Sequence, residues 1–308
     1  MVRSRTKFAI VSLCTLAIAV VLGTVGILTS KASVLRTAEC DISAEHEISA
    51  LSQNLRLTAV FDDGWDNFVM NRYGRVETLC NNYDADIKCF QEADYMWRLK
   101  LNAMFNEDEY YRNYYKNSKG LANPIYVKKS KFDMIDSGNF IVSEEYEREV
   151  TKDGETKMVK YESRIATWVK VKDKNTGKTL TMVNTHLAFH EDVQIASCTK
   201  IMNFVAKAGT DGYLICGDFN FNMHKTKRYN VMLQNGTKDM AIAATKEGKT
   251  GVMTYTCHGF GNAPKMERID FFFGSKNLTS KMYTVVNDLI DGQYASDHYG
   301  ILTYIDIN

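Results

Sequence analysis

The run Gly212–Asn220, GYLICGDFN, decides how the chain is read. Tyr213-Leu214-Ile215-Cys216 is a short apolar stretch of the length expected for a buried strand. Gly217-Asp218-Phe219-Asn220 follows at once and sets a carboxylate and an amide at the end of that strand. A strand that closes on ionisable residues delivers them to the rim of a sheet. Taken alone, Asp-x-Asn also fits a simple turn, because both side chains bond their own backbone.

The arrangement recurs on both sides of this run. Phe90-Gln91-Glu92 closes one apolar strand, and Val183-Asn184-Thr185-His186-Leu187 closes another. Arg268-Ile269-Asp270-Phe271 embeds a carboxylate in an apolar strand, and Ser296-Asp297-His298 stands just before the last strand. Glu92, Asp218, Asn220, Asp270 and Asp297 supply oxygen ligands or orienting groups, while His186 and His298 supply proton carriers. Such a set suits phosphoester hydrolysis. A hard cation such as Mg²⁺ prefers carboxylate oxygens and keeps waters for exchange. It also offsets charge in a phosphoryl transition state.

The rest of the body reads as a mixed α/β structure. Runs rich in β-branched and aromatic residues predict strands at Arg56–Phe61, Asp86–Phe90, Pro124–Lys128, Arg164–Val171, Thr179–His186, Gly212–Gly217, Arg268–Phe273, Met282–Val286 and Gly300–Ile305. Asn175-Thr176-Gly177 predicts a hairpin loop. Helical spacing marks roughly 67–83, 93–105, 190–208 and 225–235. Strands outnumber helices and strict βα alternation fails, which predicts two packed sheets flanked by helices in one domain. The charged stretch Glu144–Lys160 predicts a solvated hairpin or loop. Tyr110–Lys116 mixes rings and cations, which fits either base stacking or packing at a surface edge.

Of 308 residues, 45% are hydrophobic and 24% charged, the balance of an ordinary globular protein. Residues 8–30 carry no charge and follow Arg3, Arg5 and Lys7. They predict a single transmembrane helix, with the N-terminus inside and the body outside; a cleaved signal peptide, giving a secreted protein, is the competing reading. Residues 31–54 read as a polar stalk, and the catalytic domain as 55–308. That body is close to neutral, so composition gives no basic stripe for nucleic acid. The six cysteines beyond Cys14 form no metal-binding spacing and are read as free thiols. His186 and His190 have the spacing of a zinc helix, but Leu187 stands where a zinc protease carries Glu.

Taken together and in this order, the five strand-end motifs resemble the endonuclease/exonuclease/phosphatase superfamily across about residues 55–307. The resemblance implies a four-layer α/β/β/α sandwich and a Mg²⁺-dependent (or Mn²⁺-dependent) phosphoester hydrolase, expected as a monomer. It implies Glu92 as principal metal ligand, Asp297 as a second metal or water contact, and Asp218 with Asn220 placing the attacking water. His186 would stabilise the phosphate, Asp270 would hold His298 as general acid/base, and Arg164 would reach the phosphate. The substrate stays open among nucleic acid, phospholipid and small molecule. One departure stands out. The family opens with a strand ending in a metal-contacting Asn, whereas the expected first strand ends Phe61-Asp62-Asp63. Asp62, or Asp63 beside it, is then the candidate substitute ligand; the second reading is a binding module on the same fold, degraded at that point.

Overall fold

The computed structural model describes residues 48–59, 64–245 and 249–308. The segment 8–30, the residues 31–47 and the pair Asp62 and Asp63 lie outside them. Among the described residues no helix is long and apolar enough to cross a membrane.

The chain runs β1 (Ile48–Asn54), α1 (Val69–Tyr83), β2 (Ile87–Gln91), α2 (Tyr95–Met104), β3 (Tyr110–Asn113), β4 (Ile125–Lys128) and β5 (Phe132–Ser143). It continues with β6 (Tyr146–Lys152), β7 (Glu155–Tyr161), β8 (Arg164–Asp173), β9 (Thr179–His186), α3 (Glu191–Val205), β10 (Gly212–Asp218) and α4 (Thr226–Met232). The last elements are β11 (Lys238–Asp239), α5 (Met240–Ala243), β12 (Lys249–Thr250), β13 (Asp270–Gly274), β14 (Leu278–Val286) and β15 (Gly300–Ile307).

Two sheets result. One has the order β12-β14-β15-β1-β2-β4-β3 and the other β11-β13-β10-β9-β8-β5. Both are mixed: β1 and β2, β12 and β14, and β9 and β10 run parallel, and the remaining neighbours antiparallel. The β6–β7 hairpin stands apart as its own two-stranded sheet. Between the two large sheets lies an apolar core to which β1, β2, β4, β8, β9, β10 and β13 all contribute. A second core joins α1 and α2 to the outer face of the first sheet, and a third joins α3 and α4 to the outer face of the second. The layers therefore follow the sandwich order.

Local sequence explains the elements. In α1 the buried positions are Val69, Arg72, Val76, Leu79 and Cys80, the spacing of one helical face. The Asp94 side chain caps α2 by accepting from the Trp97 amide at 3.0 Å. In α3 Glu191 and Asp192 occupy the first turn, where the helix dipole favours negative charge.

Two boundaries differ from the sequence reading. The first strand is Ile48–Asn54, not Arg56–Phe61, and it sits in the middle of its sheet between β15 and β2. The end of the presumed stalk is therefore part of the sheet, and the domain begins at or before Ile48. The segment ISALSQN looks too polar for a central strand, yet all seven residues are buried. Its polar groups are satisfied within the fold: Ser49 Oγ donates to Asp86 at 2.8 Å, and Gln53 Nε2 donates to the His298 carbonyl at 2.9 Å. The other difference is that β14 begins at Leu278 rather than Met282, whereas Glu144–Lys160 forms the solvated hairpin expected of it, β6–β7.

Candidate active site

Strand periodicity builds the site. Side chains alternate between faces, so along β1, β2, β9 and β10 every second residue enters the inter-sheet space. Ile48 and Ala50 lead to Ser52 and Asn54; Leu180 and Met182 lead to Asn184 and His186; Leu214 and Cys216 lead to Asp218. Each row is apolar in the middle of the molecule and polar at one rim. Register then aligns the rim: Asp218 lies opposite His186 on β9 and opposite Asp270 on β13.

Within this rim, His298 Nδ1 meets Asp270 Oδ2 at 2.8 Å. His298 Nε2 lies 3.8 Å and His186 Nε2 3.5 Å from the same Asp218 Oδ2. The amide of Asn54 completes the group: its Nδ2 donates to Asp218 Oδ2 at 3.0 Å and to Glu92 Oε1 at 3.2 Å. Glu92 Oε2 accepts from the Leu57 amide at 2.9 Å. Asn220 donates its own amide to Asp218 Oδ1 at 2.8 Å, and its side chain holds the Leu187 carbonyl at 2.8 Å. Glu92, Arg164 and His186 line one small cavity with Asn117 and Asn123.

The structure thus brings together Glu92, His186, Asp218, Asn220, Asp270 and His298, with Arg164 at the cavity wall. Asp297, next to His298, has partners of its own. Its carboxylate turns to Arg56 at 3.8 Å and to Ser296 Oγ at 3.2 Å. Two contributors escaped the sequence reading. Asn54 stands where the family pattern places its first Asn, eight residues ahead of the candidate Asp62. Thr256 donates to Asp270 Oδ2 at 2.5 Å and accepts from the Asp270 amide at 3.2 Å. No apolar period or motif marks Thr256, so only the fold could reveal it.

Backbone conformation is constrained at several of the same positions. Gly217 has φ 134°, and a Cβ there would meet the Thr185 carbonyl oxygen at 1.8 Å, so the glycine of Gly217-Asp218-Phe219-Asn220 is a steric requirement. Glu92 and Asn220 both adopt left-handed backbone, at φ 59° and 53°.

Electrostatics divide the two imidazoles. Burial disfavours the charged form of His298, but Asp270 and Asp218 outweigh it and hold the ring well above its ordinary value. His186 lies well below its ordinary value through burial, with the positive Arg164 and His298 adding to the effect. Burial and the neighbouring Asp270 carboxylate push Asp218 up to about 7, against the pull of His298 and the Asn220 amide. The surroundings therefore favour the charged form of His298 and the neutral form of His186.

The donor chemistry fits a hard divalent cation. Glu92 and Asp218 aim oxygens at a single neutral amide group, an unfavourable focus of negative charge that a cation would relieve. Asp218, Asp270 and His298 also lie close enough to share an ion. Their inner space is already spanned by the Asp270–His298 hydrogen bond, which marks that trio as proton-handling groups. The zinc spacing of His186 and His190 comes to nothing: His190 bonds the Tyr146 hydroxyl at 2.9 Å. The five described cysteines, Cys80, Cys89, Cys198, Cys216 and Cys257, are free thiols.

No family model and no curated protein matches the sequence. Solved structures do. An endonuclease/exonuclease/phosphatase of Bacteroides vulgatus superposes with a TM-score of 0.73 at 25% identity, covering 86% of this chain and 100% of that one. A mannosyl-6-phosphatase of Bacteroides thetaiotaomicron gives 0.69 at 20% identity, over 84% and 99% of the two chains. The human Nocturnin catalytic domain with bound sulfate gives 0.63 at 16% identity, over 85% and 94%. The two lower identities speak for the fold alone. With this fold, and with the strand-end motifs gathered at one rim, the chain resembles solved members of the endonuclease/exonuclease/phosphatase superfamily.

Proposed function

We propose that the protein is a divalent-metal-dependent hydrolase of phosphate esters. The observation that carries this reading is the convergence of Asn54, Glu92, His186 and His298 around one carboxylate, Asp218. Glu92, with Asn54 beside it, would hold Mg²⁺ or Mn²⁺, which supplies charge neutralisation at the phosphoryl oxygens. Asp218, oriented by Asn54 and the Asn220 amide, accepts the proton of the attacking water as the new P–O bond forms. Protonated His298, backed by Asp270, stabilises the pentacoordinate charge and returns a proton to the leaving oxygen as the old P–O bond breaks. Neutral His186 donates a hydrogen bond to a phosphoryl oxygen, and Arg164 attracts the anion from the cavity wall.

Asn54 removes the ground for the degraded-module reading, which rested on a missing Asn. The substrate classes remain a nucleic acid, a phospholipid and a small phosphate ester; the fold shared with a mannosyl-6-phosphatase adds sugar phosphates to the compounds to test. We retain the placement of residues 8–30 in a membrane with the body outside, as an anchor or a cleaved leader. Protease accessibility on intact cells tests that topology.

Hydrolysis by the full-length protein, with Mg²⁺ or with EDTA, tests the activity beside Glu92→Ala, Asp218→Ala and His298→Ala. The panel is bis-p-nitrophenyl phosphate, sugar phosphates, DNA, RNA, sphingomyelin and phosphoinositides. Metal-dependent turnover lost in all three variants is expected. Turnover that survives EDTA or any of the substitutions would refute the assignment.

A further inference from the structure

Gln91 of Phe90-Gln91-Glu92 and Asn184 of Val183-Asn184-Thr185-His186 carry no part of the chemistry assigned above. Both are at 0% exposure, beside an inter-sheet core that is otherwise apolar. A buried amide is costly unless it is hydrogen-bonded, and replacing both partners of a buried pair by apolar groups can be neutral for stability. The fold alone gives little reason for them.

Their bonds cross between the sheets. Gln91 Nε2 donates to Asn184 Oδ1 at 2.7 Å and to Ser52 Oγ on β1 at 3.1 Å. Asn184 Nδ2 returns to the first sheet, donating to the Phe90 carbonyl at 2.8 Å and the Pro124 carbonyl at 3.0 Å. Gln91 Oε1 is buried with no hydrogen-bond partner among the described residues, a cost that an apolar residue there would avoid. Apolar packing between sheets is non-directional, whereas these bonds set a register. They act next to Glu92 on β2 and two residues before His186 on β9.

We infer that Gln91 and Asn184 form a positioning clamp that fixes the Glu92 carboxylate relative to His186 and Asp218. Neither side chain touches substrate or metal; each acts through the strand ends it holds. The consequence for metal binding rests on the proposed function, but the placement of Glu92 does not.

The test uses the full-length protein with Asn184→Leu and Gln91→Leu, and Glu92→Ala as control. Three quantities are measured: thermal unfolding, Mn²⁺ affinity by calorimetry, and hydrogen exchange of the segment containing Leu57, whose amide reports on Glu92 Oε2. Both clamp variants are expected to unfold cooperatively, to exchange faster at Leu57 as Glu92→Ala does, and to bind Mn²⁺ about 10–100-fold more weakly. A purely structural role would lower the melting temperature and leave Leu57 exchange and Mn²⁺ affinity within about twofold of the parent, and that result overturns the clamp. If Asn184→Leu fails to fold, Gln91→Leu decides on the same readouts. A parent protein that binds no Mn²⁺ would refute the metal reading, and Leu57 exchange would still decide the clamp.

Discussion

At the scale of single residues, Glu92, the proposed principal metal ligand, adopts a left-handed backbone. Strain of this kind costs roughly 1–3 kcal/mol and persists where function holds it. Asn tolerates that backbone better. Glu92→Asn should therefore leave the metal-free melting temperature unchanged or raised, while abolishing the rise on adding Mg²⁺; a lowered metal-free value would show that no strain was stored. Asp218, pushed up to about 7 by burial and Asp270, binds its proton more tightly in the folded than in the unfolded state. Its contribution to metal-free stability is full below the ordinary carboxylate range and is lost as pH rises through about 7. A bound cation favours the carboxylate instead. Mn²⁺ affinity should climb between about pH 5 and 7 and level off above; a calorimetric titration flat across that range would contradict a cation beside Asp218. Glu92, His186, Asp218, Asp270 and His298 were legible in the sequence because each ends, interrupts or immediately precedes an apolar strand. Asn54 was hidden by polar neighbours, and Thr256 by a loop without period.

At the scale of elements, the strands written in β-branched and aromatic residues, such as β8, β9 and β13, were legible, and so were all three long helices. β1 was not, because its polarity is offset by bonds that only tertiary contacts supply, such as Ser49 to Asp86. Pattern reading instead favoured the more apolar Arg56–Phe61, two of whose residues serve the site beyond the strand: the amides of Leu57 and Thr58 bind Glu92 and Asp94. A sharp expectation follows. A chain starting at Leu55 lacks a central strand, leaving β2 and β15 with open edges, and should be insoluble or fail to unfold cooperatively. A chain starting a few residues ahead of Ile48 should fold. Circular dichroism and thermal melts of the two truncations compare them directly. Gly217→Ala, which forces a Cβ onto the Thr185 carbonyl between β9 and β10, should cost about 3 kcal/mol or more in chemical denaturation.

At the scale of the whole molecule, the site belongs to neither sheet. Asn54 and Glu92 come from one, His186, Asp218 and Asp270 from the other, so a cation at the rim would tie the two together. A metal that binds only the folded state stabilises it by mass action, by about 2.7 kcal/mol at a hundredfold excess over its dissociation constant. Mg²⁺ at that excess should raise the melting temperature of the full-length protein, and EDTA should reverse the rise; the absence of any shift would count against a cation bridging the sheets. The pairing of β1 with β15 has a further consequence. These are the first and last strands described, joined along Ile48–Ser52 and Ile301–Ile305. During synthesis β1 must wait, unpaired on one side, until β15 has emerged. Contacts so distant in sequence close slowly. Chains stalled or ended before β15 would thus expose that waiting edge to chaperones or to each other, and the sheet that carries Asn54 would close all at once, when β15 arrives.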